Sequence, residues 1–69
     1  MFIEVMTYIN ENVQIQSLIN TRFIVEIIHD NLPPKFKTKI KFHDDSCHYV
    51  ADSYDELMAK LIKARALND

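Results

Sequence analysis

Sixty-nine residues carrying a formal charge of −2, a single cysteine and no glycine describe one domain near the lower size limit for a self-sufficient core. Cys47 alone excludes an intrachain disulfide, and no Cys/His spacing matches a structural zinc site. The missing glycines exclude the Gly-rich phosphate loops of nucleotide-binding proteins, and no apolar run approaches the ~20 residues of a membrane-spanning helix.

In chain order, "MFIEVMTYI" is rich in β-branched and aromatic residues and ends at the turn-forming "NENV", so residues 2–9 read as a strand. Val13 and Ile15 alternate with Gln14 and Gln16, predicting a second strand that closes a first hairpin. "SLIN" reads as one helical turn or a kink capped by Ser17, and "TRFIVEIIH", residues 21–29, as the third strand. "DNLPP" breaks it, because Pro33 and Pro34 cannot donate to a ladder.

From Lys35 the period is strictly two. Phe36, Thr38, Ile40 and Phe42 take one side of a strand, and Lys35, Lys37, Lys39 and Lys41 the other. A tight turn at Asp44-Asp45 sets Phe42 opposite Cys47, Ile40 opposite Tyr49 and Thr38 opposite Ala51 on the inner side. The same register sets His43 against Ser46, Lys41 against His48, Lys39 against Val50 and Lys37 against Asp52 on the outer side. A slip of one residue turns Cys47 outward and His48 inward.

Ser53 followed by Glu56 is a reciprocal capping box, and Asp55 and Glu56 put negative charge at the positive end of a helix dipole. Tyr54, Leu57, Met58, Leu61 and Ile62 recur at three and four, with Lys60, Lys63 and Arg65 towards the far end, predicting a helix over about residues 54–66. The fold class is therefore α+β: an antiparallel sheet of four or five strands with one C-terminal helix packed on one face.

Charge is uneven along the chain. Arg22 against Glu4, Glu11, Glu26 and Asp30 leaves −3 over residues 1–34, the four lysines give +4 over 35–43, and the remainder returns to −3. A net acidic domain does not favour general nucleic-acid binding. The stripe Lys35, Lys37, Lys39, Lys41 suits a solvated strand face or an acidic protein partner, and no exposed aromatics interleave with it as single-strand binding usually requires.

His29, His43, Cys47 and His48 are the soft-ligand candidates, but the predicted register divides Cys47 from the histidines, so no metal site is expected. Neighbouring strand residues such as Cys47 and His48 point to opposite faces, the wrong geometry for a nucleophile and its base. So short a chain can hardly wrap a substrate. No cofactor and no enzyme activity are expected.

A single helix roofs one sheet face, yet both parities of the first and third strands are apolar. Phe2, Met6, Tyr8, Ile24 and Ile28 fall on the uncovered side, and a contiguous apolar patch there marks an interface. It is closed by self-association, by another protein, or by the loop at 29–36 folding over it. The expected function is a non-catalytic protein-interaction module, a homodimer through that face. A specific interface needs ~800 Å² per subunit.

"TKIKFHDDSCHYVADSYDELMAKL" resembles small regulatory proteins of the FlbD type and related short phage proteins, matching their strand, acidic turn, strand and Ser-capped helix at Ile40, Phe42, Asp44-Asp45, Tyr49, Val50, Ser53, Glu56 and Leu57. It departs from them in having Asp45 where glycine is common and in its Pro-Pro insertion. The resemblance implies a regulator that binds other proteins and supplies no catalytic residues. The lone thiol, and a start unlike a leader peptide, predict a cytoplasmic protein. The lean towards Ile, Lys, Asn, Phe and Tyr, which have A/T-rich codons, suits a bacterial or phage source. Two alternatives stay open: a phage-encoded inhibitor of the anti-CRISPR type that occludes a host protein, and a nucleic-acid-binding regulator using the lysine stripe.

Overall fold

The computed structural model describes residues 1–68. Strands β1 (Phe2–Asn10), β2 (Val13–Asn20), β3 (Ile24–Ile28), β4 (Thr38–Phe42) and β5 (Cys47–Val50) precede helix α1 (Tyr54–Asn68). The strands form one five-stranded antiparallel sheet in the order β2-β1-β5-β4-β3. The chain is thus an α+β fold, with the predicted element order.

The two outermost strands, β2 and β3, are consecutive in sequence and joined only by a 3-10 turn at Thr21–Phe23. Across a flat sheet they would lie ~19 Å apart, whereas the connection reaches ~14 Å at full stretch. The sheet therefore curls. Thr21 N–H donates to the Met1 carbonyl at 3.0 Å, and Asn20 caps the turn by accepting from Arg22 N–H at 3.1 Å. The helical turn expected over Ser17–Asn20 lies instead one step later, because Ser17–Asn20 remains paired with Phe2–Val5.

Inside the curl, Ile3, Val5, Ile19, Ile40, Val50 and Leu57 form the buried core. Among the described residues, Leu57, Leu61 and Ala64, spaced four and three apart, are the helix residues packed into it, while Ile62 stays exposed. The packed stripe is narrower than the expected one because α1 leans mainly on β1. The capping box is present: Ser53 Oγ accepts from Glu56 N–H at 3.2 Å, and Glu56 Oε1 accepts from Ser53 N–H at 3.4 Å. Ser53→Ala is expected to cost ~1 kcal/mol, read as a lower urea midpoint at unchanged slope.

The β4–β5 hairpin takes the other register. Thr38 faces Val50, Lys39 Tyr49, Ile40 His48 and Lys41 Cys47. The cause is the turn: Asp45 N–H donates to Phe42 O at 2.9 Å, Phe42 N–H donates to Ser46 O at 2.9 Å, and Asp45 sits at φ 70°. This is a three-residue loop ending in a left-handed residue, not a two-residue turn, and the odd residue shifts every pair by one. Without glycine, Asp and Asn take the positive-φ positions, Asn31 being the other.

β4 also begins later than expected, at Thr38, so Lys35 and Lys37 lie in the preceding connection. β3 runs over Ile24–Ile28 rather than 21–29, and a bulge at Val25 interrupts its pairing with β4.

Candidate functional site

The face turned away from the helix is built from the alternate residues of the same strands. On the β1–β2 side, Glu4 pairs with Leu18, Met6 with Gln16 and Tyr8 with Gln14, while Phe2 stands opposite Asn20. Phe2 is 61% and Leu18 67% exposed, and Met6 is also exposed. They surround Glu4, whose carboxylate accepts from Gln16 Nε2 at 2.9 Å.

On the β4–β5 side of this face, a loop residue closes what the strands leave open. Phe36 stacks on Tyr49 with ring centroids 4.2 Å apart and planes 12° apart, and it meets Tyr8 edge-on at 4.9 Å. Lys39, cross-strand from Tyr49, and Lys41, cross-strand from Cys47 and Glu26, flank this aromatic pad. The loop that carries Phe36 is held by an ion pair between Lys35 and Glu11 at 3.3 Å.

Of the four lysines expected to form one stripe, only Lys39 and Lys41 share a strand face; Lys35 is engaged by Glu11 and Lys37 stands exposed in the connection. Of the expected apolar set, Phe2 and Met6 are open, Tyr8 is half-buried under Phe36, and Ile28 is half-buried opposite Lys39. Ile24 lies on the other side. It pairs with Phe42 and packs against the core, because the Val25 bulge lets both Ile24 and Ile27 point inward. A bulge of this kind leaves no mark in a run of β-branched residues.

Each histidine lies against a different aromatic ring, and His43 and His48 line one cleft. His29 lies against Tyr54 at 4.4 Å, His43 edge-on to Phe23 at 4.9 Å and His48 edge-on to Phe42 at 5.1 Å. Cys47 is exposed on the face opposite His48, and among the described residues no three His, Cys, Asp or Glu side chains gather at one point. A cleft of about 510 Å³ opens between Leu18 and Ile19 of β2 and Phe23, Phe42 and His48. On its rim, the Asp44 carboxylate is held below its ordinary range by the Ser46 hydroxyl at 2.6 Å and the Ser46 N–H at 3.0 Å. That pair closes the turn on itself.

The most constrained polar group is elsewhere. Asp52 is buried where β1 runs past the end of β5, and it supplies what a further strand would have supplied. Its Oδ1 accepts from Met6 N–H at 2.9 Å, its Oδ2 accepts from Lys60 Nζ at 2.6 Å, and its carbonyl accepts from the buried Thr38 hydroxyl at 2.8 Å. Lys60 Nζ also donates to the Glu4 carbonyl at 2.6 Å, and Ala51 N–H to the Met6 carbonyl at 2.8 Å. The open edge of β1 is thus sealed by side chains of the helix and its lead-in. Burial pushes the Asp52 carboxyl up, but the Lys60 ammonium and the Met6 N–H outweigh it and hold the pKa below 3.8. Asp52 is thus buried rather than outside and facing Lys37 as the two-residue turn predicts; in the sequence, its place just before the Ser53 cap and eight residues from Lys60 is the signal that marks it.

No helix among the described residues is long and apolar enough to cross a membrane. No family model, curated protein or solved structure matches the chain.

Proposed function

We propose that this protein is a non-catalytic regulatory module that acts by binding a protein partner and works as a homodimer. The observation that supports the reading is the outer sheet face: Phe2, Met6 and Leu18 stand open on a face that also carries a stacked aromatic pad edged by two lysines. Large apolar side chains held on a strand surface lose little entropy when a partner covers them. Lys39 and Lys41 favour a partner with acidic groups around an apolar centre, and the charge selects more than it binds. The pairing of Glu4 with Gln16 within the same face gives that partner a polar reference point.

Immobilised protein is expected to retain one cellular protein through a high-salt wash. Met6→Asp combined with Leu18→Asp should release it while the far-UV circular dichroism stays native, because neither side chain belongs to the core. Equal retention by the double variant would remove this face from the proposal.

A nucleic-acid reading has one observation in its favour: the register puts Tyr49 directly across from Lys39, so aromatic and basic groups do alternate on this face. The rings are stacked on each other, and Glu26 stands across from Lys41, which weigh against it. Lys39→Glu with Lys41→Glu separates the two readings. A salt-sensitive shift of single-stranded DNA or RNA that disappears in this variant would support nucleic acid, whereas wild-type protein that shifts neither would leave the protein partner.

A further inference from the structure

The curled sheet leaves strand edges that differ in how they are protected. β3 is short, bulged at Val25, carries Glu26, and runs into Asp30 and the Pro33-Pro34 pair. Each of these features blocks another strand from adding. The free part of β1 is sealed by Asp52, Lys60 and Ala51. β2 has no such device. It is eight residues long, contains no proline, and from Asn12 to Thr21 there is no charged side chain.

Among the described residues β2 pairs only with β1, and no backbone bond outside that ladder engages Val13–Ile19. The half of β2 nearest the hairpin tip also lies beyond the helix. Val13 is 44% and Ile15 46% exposed, and Ile9 at the adjoining bulge is 61% exposed. An apolar, uncharged, regular edge of this kind is a template for another strand.

We propose that β2 pairs antiparallel with β2 of a second copy of this chain, joining the two sheets across a two-fold axis at Gln14. The inference rests on the homodimer reading above and gives it a different surface, leaving the outer face free for the partner. A two-fold axis perpendicular to the sheet keeps residues of like parity on one side. With Gln14 on the axis, Val13 of each copy meets Ile15 of the other, and the Ile9 side chains extend the same apolar patch. On the opposite side Gln14 meets Gln14 and Gln16 meets Asn12, so amides that both donate and accept face one another. No like charges are brought together, which is the condition an acidic chain must meet to pair with itself.

Sedimentation equilibrium over a dilution series should give a mass approaching twice 8.1 kDa that falls towards one chain on dilution. Ile15→Lys sets a cation into the middle of the joint on each side and should give monomer at every concentration with a native thermal melt. Met6→Asp, on the outer face, should leave the dimer unchanged. In a Cys47→Ser background, Gln14→Cys should form an inter-chain disulfide with diamide as the oxidant, which holds the test open even if Ile15→Lys fails to fold. Wild-type protein that stays monomeric throughout would overturn the edge and the homodimer together. A native Ile15→Lys dimer, or a Gln14→Cys dimer that does not cross-link, would overturn the edge alone.

Discussion

Leu57→Ala is expected to destabilise the protein by ~3 kcal/mol, the middle of the range for emptying a fully buried leucine site. Leu57 is fully buried and, among the described residues, is the helix residue in the buried core, where it belongs to a cluster with Ile3 and Val5 of β1, Ile19 of β2, Ile40 of β4 and Val50 of β5. The cavity would sit where four strands and the helix meet, and a curled sheet held by its strand ladders has little freedom to collapse into it. A chain of this length has a total stability of only ~3–10 kcal/mol, so the variant should populate unfolded protein at physiological temperature. Urea denaturation followed by circular dichroism measures this, with Ile62→Ala as the control. Ile62 is exposed, so its loss should change the midpoint by no more than ~0.5 kcal/mol. Similar midpoints for both variants would mean that the helix is not anchored through Leu57.

Asp52→Ala should be nearly as damaging, at ~2–4 kcal/mol, because it orphans the Met6 N–H and leaves the Lys60 ammonium without its carboxylate. Asp52→Asn should cost less, since an amide oxygen can still accept from Met6. The pair also predicts how stability follows pH. The carboxyl titrates lower in the folded protein than its ordinary 3.8, so the folded state holds fewer protons there than the unfolded state does. Its contribution is therefore complete above about 3.8 and is lost as pH falls through the lower folded value. The exposed Asp44, also lowered, adds a dependence of the same sign. Melting temperature measured between neutral and acid pH should fall more steeply for wild type than for Asp52→Asn. Parallel profiles would show that Asp52 is not the acid-sensitive group.

Both effects come from the same junction, and it matters for function because it fixes the outer face. Met6 presents its side chain to the outer face of the sheet only while its N–H and carbonyl are held by Asp52 and Ala51. The core and the proposed binding surface are therefore two sides of one strand.

Local patterns carried much of the fold. The Ser53/Glu56 box and the turn within "NENV" are interactions between near neighbours, and each is found where the residues predict it, while the alternation expected from Lys35 holds as a strand only over Thr38–Phe42. What the residues could not convey depended on counting through a turn or a bulge. An extra residue at Asp45 moved His48 to the inner face and Cys47 to the outer; an extra residue at Val25 took Ile24 out of the open apolar set. Phe36 follows the same logic. It continues the alternation that leads into β4, yet it leaves the strand and lies over Tyr49.

The sequence by itself determined the element types, the chain order, the single helix and the surplus of apolar side chains over what that helix can roof, because periodicity and capping act within a few residues. Only the tertiary structure decided which of those side chains remain open, which strand edge is left unsealed, and that Asp52 and Lys60 close the edge of β1. Those outcomes depend on contacts between residues far apart in the chain, up to the 56 positions separating Lys60 from Glu4, and no local rule reaches that far.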